Sequence, residues 1–228
     1  CNDTPAKASG ESLTSGAAPK TAIIPEITPP PPSIPPLDTA KYNEKLIELA
    51  NGDTTGRWPV SNQPYPLPGA ILPFKRIVAF YGNLFSKRMG ILGALPPKEL
   101  MAKLDSEINK WEKADPKTPV QPALHYIAVV AQGTGMKDGK YRYRMPDQQI
   151  DSVLNLAKMK KDMIIFLDIQ VALSRIDDEL PRLEKYLKLP NVHLGIDAEF
   201  SMKNGRKPGT VIGTYDASDI NYCSDYLA

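Results

Sequence analysis

From residue 76 onward, short apolar runs alternate with segments whose apolar side chains recur every three or four residues. The apolar runs cover residues 77–83, 123–131, 163–170 and 192–200. The helical spacing covers residues 97–113, 147–161, 177–187 and 216–228. Continuous apolar runs are typical of strands in a parallel sheet that helices cover. The pattern therefore predicts an α/β fold of four consecutive βα units.

Two architectures accommodate these units: a doubly wound open sheet and a parallel (β/α) barrel of the TIM type. The sequence has no strand–GxGxxG–helix unit, which a doubly wound dinucleotide-binding fold requires. Polar residues follow every apolar run, and the loops after the runs are long. Both features are typical of a barrel with its active site at the C-terminal ends of the strands, so we predict the TIM-type barrel.

The four units occupy residues 76–228, whereas a complete barrel of eight units takes roughly 250 residues. The chain ends inside its fourth predicted helix. We therefore expect residues 76–228 to be the N-terminal half of a barrel, with the first four βα units only. On this interpretation the complete protein continues beyond Ala228.

The residues before the barrel have a different composition. Nine of the 23 prolines precede residue 40, and residues 1–20 are small and polar. We expect residues 1–38 to be a disordered tether followed by a stiff Pro-rich linker. Residues 39–75 are expected to form a short helix and an extended arm that packs on the barrel, with Trp58 and Tyr65 as its anchors.

The tether begins with Cys1, and a cysteine before a flexible polar segment resembles the mature N-terminus of a bacterial lipoprotein. This resemblance implies lipid attachment at Cys1 and a place in the bacterial cell envelope, anchored to a membrane and facing outward. No apolar run approaches the roughly 20 residues that span a bilayer. Contact with a membrane is therefore expected through the lipid alone.

Composition and charge exclude several classes of function. The net charge is only +2, which argues against a nucleic-acid-binding surface. Two cysteines, Cys1 and Cys223, exclude a disulfide scaffold. The two histidines, His125 and His193, lie inside apolar runs, and we interpret them as core residues. We expect neither a metal nor another cofactor.

Acidic and amide side chains mark the ends of the predicted strands. Residues two apart in a strand share a face, so Asp197 is expected beside Glu199, and Asp168 beside Gln170. Hydrolysis of a glycosidic bond needs a carboxylic acid as proton donor and a second carboxylate. We predict catalytic roles for Asp168, Asp197 and Glu199, with Glu199 as the proton donor. The predicted substrate-binding residues are Tyr81, Asn83, Gln132 and Gln170.

Three of the runs, IVAFYGN, MIIFLDIQ and LGIDAEF, resemble strands of glycoside-hydrolase-type TIM barrels. The last is loosely similar to the chitinase DxxDxDxE strand, with Glu199 at the position of the acid and Asp197 two residues before it. It departs from that pattern at Val192 and Gly195, where the pattern has Asp. A closer resemblance is to bacterial secreted or lipid-anchored proteins of no established activity, which share the LDxQ strand, the DxEF strand and a PG-containing loop.

Alternative interpretations of these residues remain open. A carboxylate at a strand end often caps a loop or pairs with an arginine, and Arg175 or Arg206 could serve as that partner for Asp168 or for the Asp197–Glu199 pair. The stretch KYRYR at 140–144 is either a sugar- or polyanion-binding segment or a solvated loop. We expect a cell-envelope glycoside hydrolase that acts on a polysaccharide or cell-wall glycan. The alternative is a non-catalytic glycan-binding protein or an envelope scaffold.

Overall fold

The structure, a computed structural model, describes residues 34–228. The predicted tether and most of the Pro-rich linker, with Cys1, lie outside the described residues. The α-helices are α1 (Thr39–Ala50), α2 (Pro97–Ala114), α3 (Asp147–Ala157), α4 (Ile176–Glu179), α5 (Glu184–Leu187) and α6 (Ala217–Leu227). The strands are β1 (Arg76–Gly82), β2 (Val120–Ala131), β3 (Arg142–Arg144), β4 (Ile164–Ile169) and β5 (Val192–Ile196).

The four long strands form a parallel sheet in the order β1-β2-β4-β5. Each strand therefore pairs with the next long strand along the chain, and β3 adds a short antiparallel pairing to the end of β2. The predicted α/β fold with a parallel sheet is confirmed. A doubly wound sheet requires a reversal of strand order, and the order of the described strands does not reverse.

The two faces of the sheet have different surroundings. The main hydrophobic core lies on one face of the sheet, where strand side chains pack against the connecting helices. Strand residues such as Phe80, Leu124 and Leu167 form one buried cluster with helix residues such as Leu104 and Val153. The alternate strand residues point to the opposite face, which holds the polar side chains.

That opposite face, which we call the open face, carries a row of aromatic rings. Tyr81, His125, Phe166 and His193 are successive register partners across β1, β2, β4 and β5. Their ring centroids are 5.0, 5.4 and 5.5 Å apart. None of the four rings is fully buried. The open face therefore presents aromatic and imidazole surface, whereas the other face packs against the helices.

The segment 39–75 contains the predicted short helix and an irregular arm. Helix α1 begins after Asp38, whose side chain accepts a hydrogen bond from the Lys41 amide, and none of its side chains is buried. Trp58 and Tyr65 remain 39% and 48% exposed. Neither ring is therefore buried, and their role as anchors of the arm stays a prediction.

Strand β3, which the apolar pattern did not predict, is attached to α4 by ion pairs. The fully buried carboxylate of Glu179 accepts hydrogen bonds from Arg142 at 2.7 Å and from Arg144 at 2.6 and 2.9 Å. Ser174 donates a further one at 2.5 Å. Both arginines of the KYRYR stretch therefore pair with Glu179, Arg142 buried and Arg144 partly exposed, and they do not form a free basic patch.

Within residues 34–228, no helix combines the length and the apolar character that crossing a membrane needs.

Candidate functional site

The amide of Gln170 connects three strands at the C-terminal end of the sheet. Gln170 directly follows β4 and is almost fully buried. Its Oε1 accepts a hydrogen bond from the Ala131 amide at 2.9 Å. Its Nε2 donates to the Tyr81 hydroxyl at 3.2 Å and to Oδ2 of Asp197 at 3.0 Å. Gln170 therefore fixes the positions of two predicted site residues.

Asp197 lies directly after β5 and is half-buried. Burial raises the pKa of its carboxyl group, the hydrogen bond from Gln170 opposes this, and the negative charges of Asp168 and Glu199 raise the pKa further. The net effect is a pKa above the ordinary value for Asp. Such a group holds its proton at a higher pH than an exposed carboxyl does, as a proton donor requires.

Asp168 lies on β4, its side chain is on the open face of the sheet, and it is almost fully buried. Its Oδ1 is 3.6 Å from Nε2 of His125, which is too long for a normal hydrogen bond. The His125 Nε2 atom is buried and has no hydrogen-bond partner among the described residues. His125 is therefore a site residue that the interpretation as a core histidine missed.

Gly195 provides the space that this pair occupies. It is the register partner of Asp168 on β5. A Cβ atom at Gly195 would lie 2.8 Å from Oδ1 of Asp168 and 3.0 Å from Nε2 of His125. A side chain at position 195 would therefore force Asp168 or His125 to move from this arrangement.

Tyr81 forms the β1 side of the site. Its side chain is 37% exposed, and its ring meets that of His125 edge to face. Burial and the negative charges of Asp168, Asp197 and Glu199 raise the pKa of its hydroxyl, which therefore stays protonated. Tyr81 offers a ligand an aromatic surface next to the carboxylates, as its predicted binding role requires.

Glu199 does not share a strand face with Asp197, contrary to the prediction. Strand β5 ends at Ile196, and Ala198–Phe200 forms a 3-10 turn. The turn is held by a hydrogen bond from the Gly213 amide to the Glu199 carbonyl at 2.7 Å. The side chain of Glu199 is exposed, at the outer rim of the site. Asp197, not Glu199, has the burial that favours a proton donor.

Two predicted binding residues have other roles or other contacts. Asn83 is fully buried, its Nδ2 donates to the Ile127 carbonyl at 3.0 Å, and its Oδ1 accepts from the Phe85 amide at 2.8 Å. We therefore assign it to holding the loop after β1. Gln132 follows β2, and its side-chain amide donates to the Val130 carbonyl at 3.4 Å. The structure does not bring Gln132 into the Gln170 hydrogen-bond network.

Tyr215, in the loop before α6, is a further neighbour that sequence reasoning missed. Its hydroxyl is buried and has no hydrogen-bond partner in the described part of the chain. Burial, Cys223 and the charges of Asp168, Asp219 and Asp197 all raise its pKa. It also lines a cleft of about 680 Å³ beside Arg175 and Lys203. No sequence pattern predicts that Tyr215 lies near Asp168 and Asp197, because its position depends on the path of the loop before α6.

The residues described contain no group of three or more His, Cys, Asp and Glu side chains arranged to hold a metal ion. Comparison of the chain with protein-family models, with curated proteins and with solved structures finds no match. The interpretation of the site therefore depends on its geometry and charges.

Replacing Gly195 with Ala is expected to lower the free energy of unfolding by about 1–3 kcal/mol, because the new methyl group overlaps Asp168 and His125. Urea denaturation measures the effect. The matched control is Gly133→Ala, where nothing lies within 4 Å of the added atom, and its effect is expected to stay within about 0.5 kcal/mol. Equal stability of the two variants would contradict the close packing at Gly195.

Proposed function

We propose that the protein binds a polysaccharide or cell-wall glycan on the open face and hydrolyses a glycosidic bond there. The observation that carries this proposal is the half-buried Asp197, which Gln170 holds beside Asp168 and whose pKa is raised. In the proposed reaction Asp197 donates its proton to the leaving glycosidic oxygen. The negative charge of Asp168 stabilises the positive charge that develops on the sugar ring. Water adds to the anomeric carbon as the bond to the leaving oxygen breaks, and the proton that the water loses passes to the Asp197 carboxylate, which restores the acid.

We further propose that the sheet is the first half of a TIM-type (β/α) barrel. Two features support this: the long strands are parallel and adjacent in chain order, and the helices pack with one face of the sheet in the main core. In such a barrel the open face lines the interior, and residues at the C-terminal strand ends form the active site.

Binding without hydrolysis is the second candidate function. The observation that favours it is the burial of Asp168, whose side chain is only 4% exposed. A carboxylate that a substrate cannot reach acts on the reaction only through its charge. A protein of this kind holds the glycan against Tyr81 and the rim of the site and releases it unchanged.

Incubation of the protein with a panel of bacterial cell-wall and neutral polysaccharides tests the proposal, with new reducing ends as the readout. Tyr81→Ala is expected to weaken binding of the active glycan about tenfold, equivalent to about 1.4 kcal/mol, because the aromatic surface is lost. Tyr143→Ala is the matched control, since Tyr143 is also 37% exposed but lies on β3. Binding with no product selects the second candidate, and neither binding nor product rejects both.

A further inference from the structure

We infer that the arm contains a second, separate glycan-binding site, which takes a neutral oligosaccharide segment. A cleft of about 660 Å³ lies between α1 and residues 58–65, a volume in the range of small-molecule sites. None of the twelve residues that line this cleft, which we call the arm cleft, is charged. Charged residues make up 24% of the chain, so a wholly neutral lining is a distinctive feature.

Two aromatic rings of the arm cleft are exposed, and one of them is held in place. Tyr65 is 48% exposed, and its hydroxyl accepts a hydrogen bond from Nδ2 of Asn43 at 2.8 Å. The ring of Tyr42 meets Tyr65 edge to face at 5.6 Å, and Tyr42 in turn contacts Phe74 at 6.2 Å. The side chain of Tyr65 is therefore already ordered, and it loses little conformational entropy when a ligand binds. Trp58 adds the second exposed ring.

The polar groups of the arm cleft select among neutral ligands. Asn43, Ser61, Asn62 and Gln63 line it together with the rings. Amides and hydroxyls offer both donors and acceptors, which match sugar hydroxyl groups, and the electron-rich faces of Trp and Tyr attract the C–H groups of a sugar ring. A proline-rich peptide also packs on exposed rings but offers carbonyl acceptors alone. The mixed donors and acceptors therefore favour a glycan.

This inference does not depend on the proposed chemistry at Asp197, because the arm cleft shares no residue with that site. Its test uses the full chain with the substitution Trp111→Phe. The chain has two tryptophans, so Trp58 is the one that remains in this variant. The probes are a β-1,3-glucan, a xylan, a galactomannan and an amylose. At least one is expected to shift the emission of Trp58 and to retard the protein in affinity electrophoresis.

Tyr65→Ala in the same background is expected to weaken that binding at least fivefold, and Trp58→Ala in the natural chain to do the same. Trp111→Phe alone is the matched control and is expected to bind like the natural chain, although Trp111 is also exposed. Tyr81→Ala is expected to keep the emission change, which separates the arm cleft from the site on the open face.

Several results would overturn the inference. One is the absence of any emission change with all four polysaccharides. Another is glycan binding that Tyr81→Ala removes and Trp58→Ala leaves intact, which supports the open-face site alone. A third is an emission change with a proline-rich peptide and with none of the glycans, which assigns the arm cleft to peptide binding.

Discussion

Replacing Glu179 with Gln is expected to lower the free energy of unfolding by about 3–5 kcal/mol. The carboxylate is fully buried and accepts hydrogen bonds from Arg142, Arg144 and Ser174. Glutamine removes the negative charge and leaves the buried guanidinium of Arg142 with Asp138 as its remaining ionic partner, at 2.7 Å. Strand β3 and helix α4 lose their main connection, and urea denaturation at neutral pH measures the loss.

The same variant has a defined pH dependence. Burial alone would raise the pKa of Glu179, but the hydrogen bonds from Arg144, Arg142 and Ser174 outweigh it and hold the pKa below its usual value. A lowered pKa stabilises the fold above the unfolded-state pKa, and this stabilisation is lost as the pH falls through the folded-state pKa. The difference between the natural chain and Glu179→Gln is therefore expected to shrink on acidification.

Asp177→Asn is the matched control for Glu179, since it removes a carboxylate from the same helix. The ion pair of Asp177 with Arg175 is exposed, and such pairs contribute about 0–1 kcal/mol. A loss of similar size in the two variants would show that burial of Glu179 does not determine its contribution.

The apolar pattern predicted the parallel sheet because the long strands coincide with short, nearly continuous apolar runs separated by helical segments. Strands β4 and β5 fall within predicted runs, β1 begins one residue before its run, and β2 begins three residues before its run. Strand β3 escaped prediction because only three residues form it and two are arginines. Arg142 and Arg144 are two residues apart on a strand, so their side chains share a face. This spacing was the only feature of the sequence that indicated a common hydrogen-bond acceptor for the two arginines. Their partner Glu179 is 35 or more residues away in sequence.

The candidate site was predictable in part, for a related reason. Asp168, Gln170 and Asp197 follow from the rule that parallel strands end at one edge of the sheet. Glu199 was placed wrongly because the period-two rule was extended past the point where β5 ends. His125 was assigned to the core because its sequence neighbours are apolar. Its proximity to Asp168 depends on the register of β2 with β4 and on the missing side chain at Gly195.

Asp197→Asn is expected to reduce the rate of hydrolysis of an active glycan by about 10²–10⁴-fold, because it removes the proposed proton donor. Asparagine has the size of aspartate, and its side-chain oxygen can accept the hydrogen bond from Gln170. Glycan binding and the free energy of unfolding are therefore expected to change little. The measurement is the initial rate of reducing-end release beside the dissociation constant of the same glycan.

The pH profile identifies Asp197 more specifically than the loss of rate does. A proton donor must be protonated, so activity is expected to fall as the pH rises through the raised pKa of Asp197. Gln170→Met removes the hydrogen bond that lowers this pKa, and the alkaline limb is expected to move to higher pH.

Glu199→Gln is the control, because this exposed side chain affects Asp197 only through its charge. Removing that charge is expected to move the alkaline limb slightly to lower pH and to retain most of the rate. If Glu199→Gln abolishes hydrolysis while Asp197→Asn keeps it, the proton donor is the carboxylate on the rim. The burial and charges around Asp197 then serve glycan binding or stability instead of proton transfer.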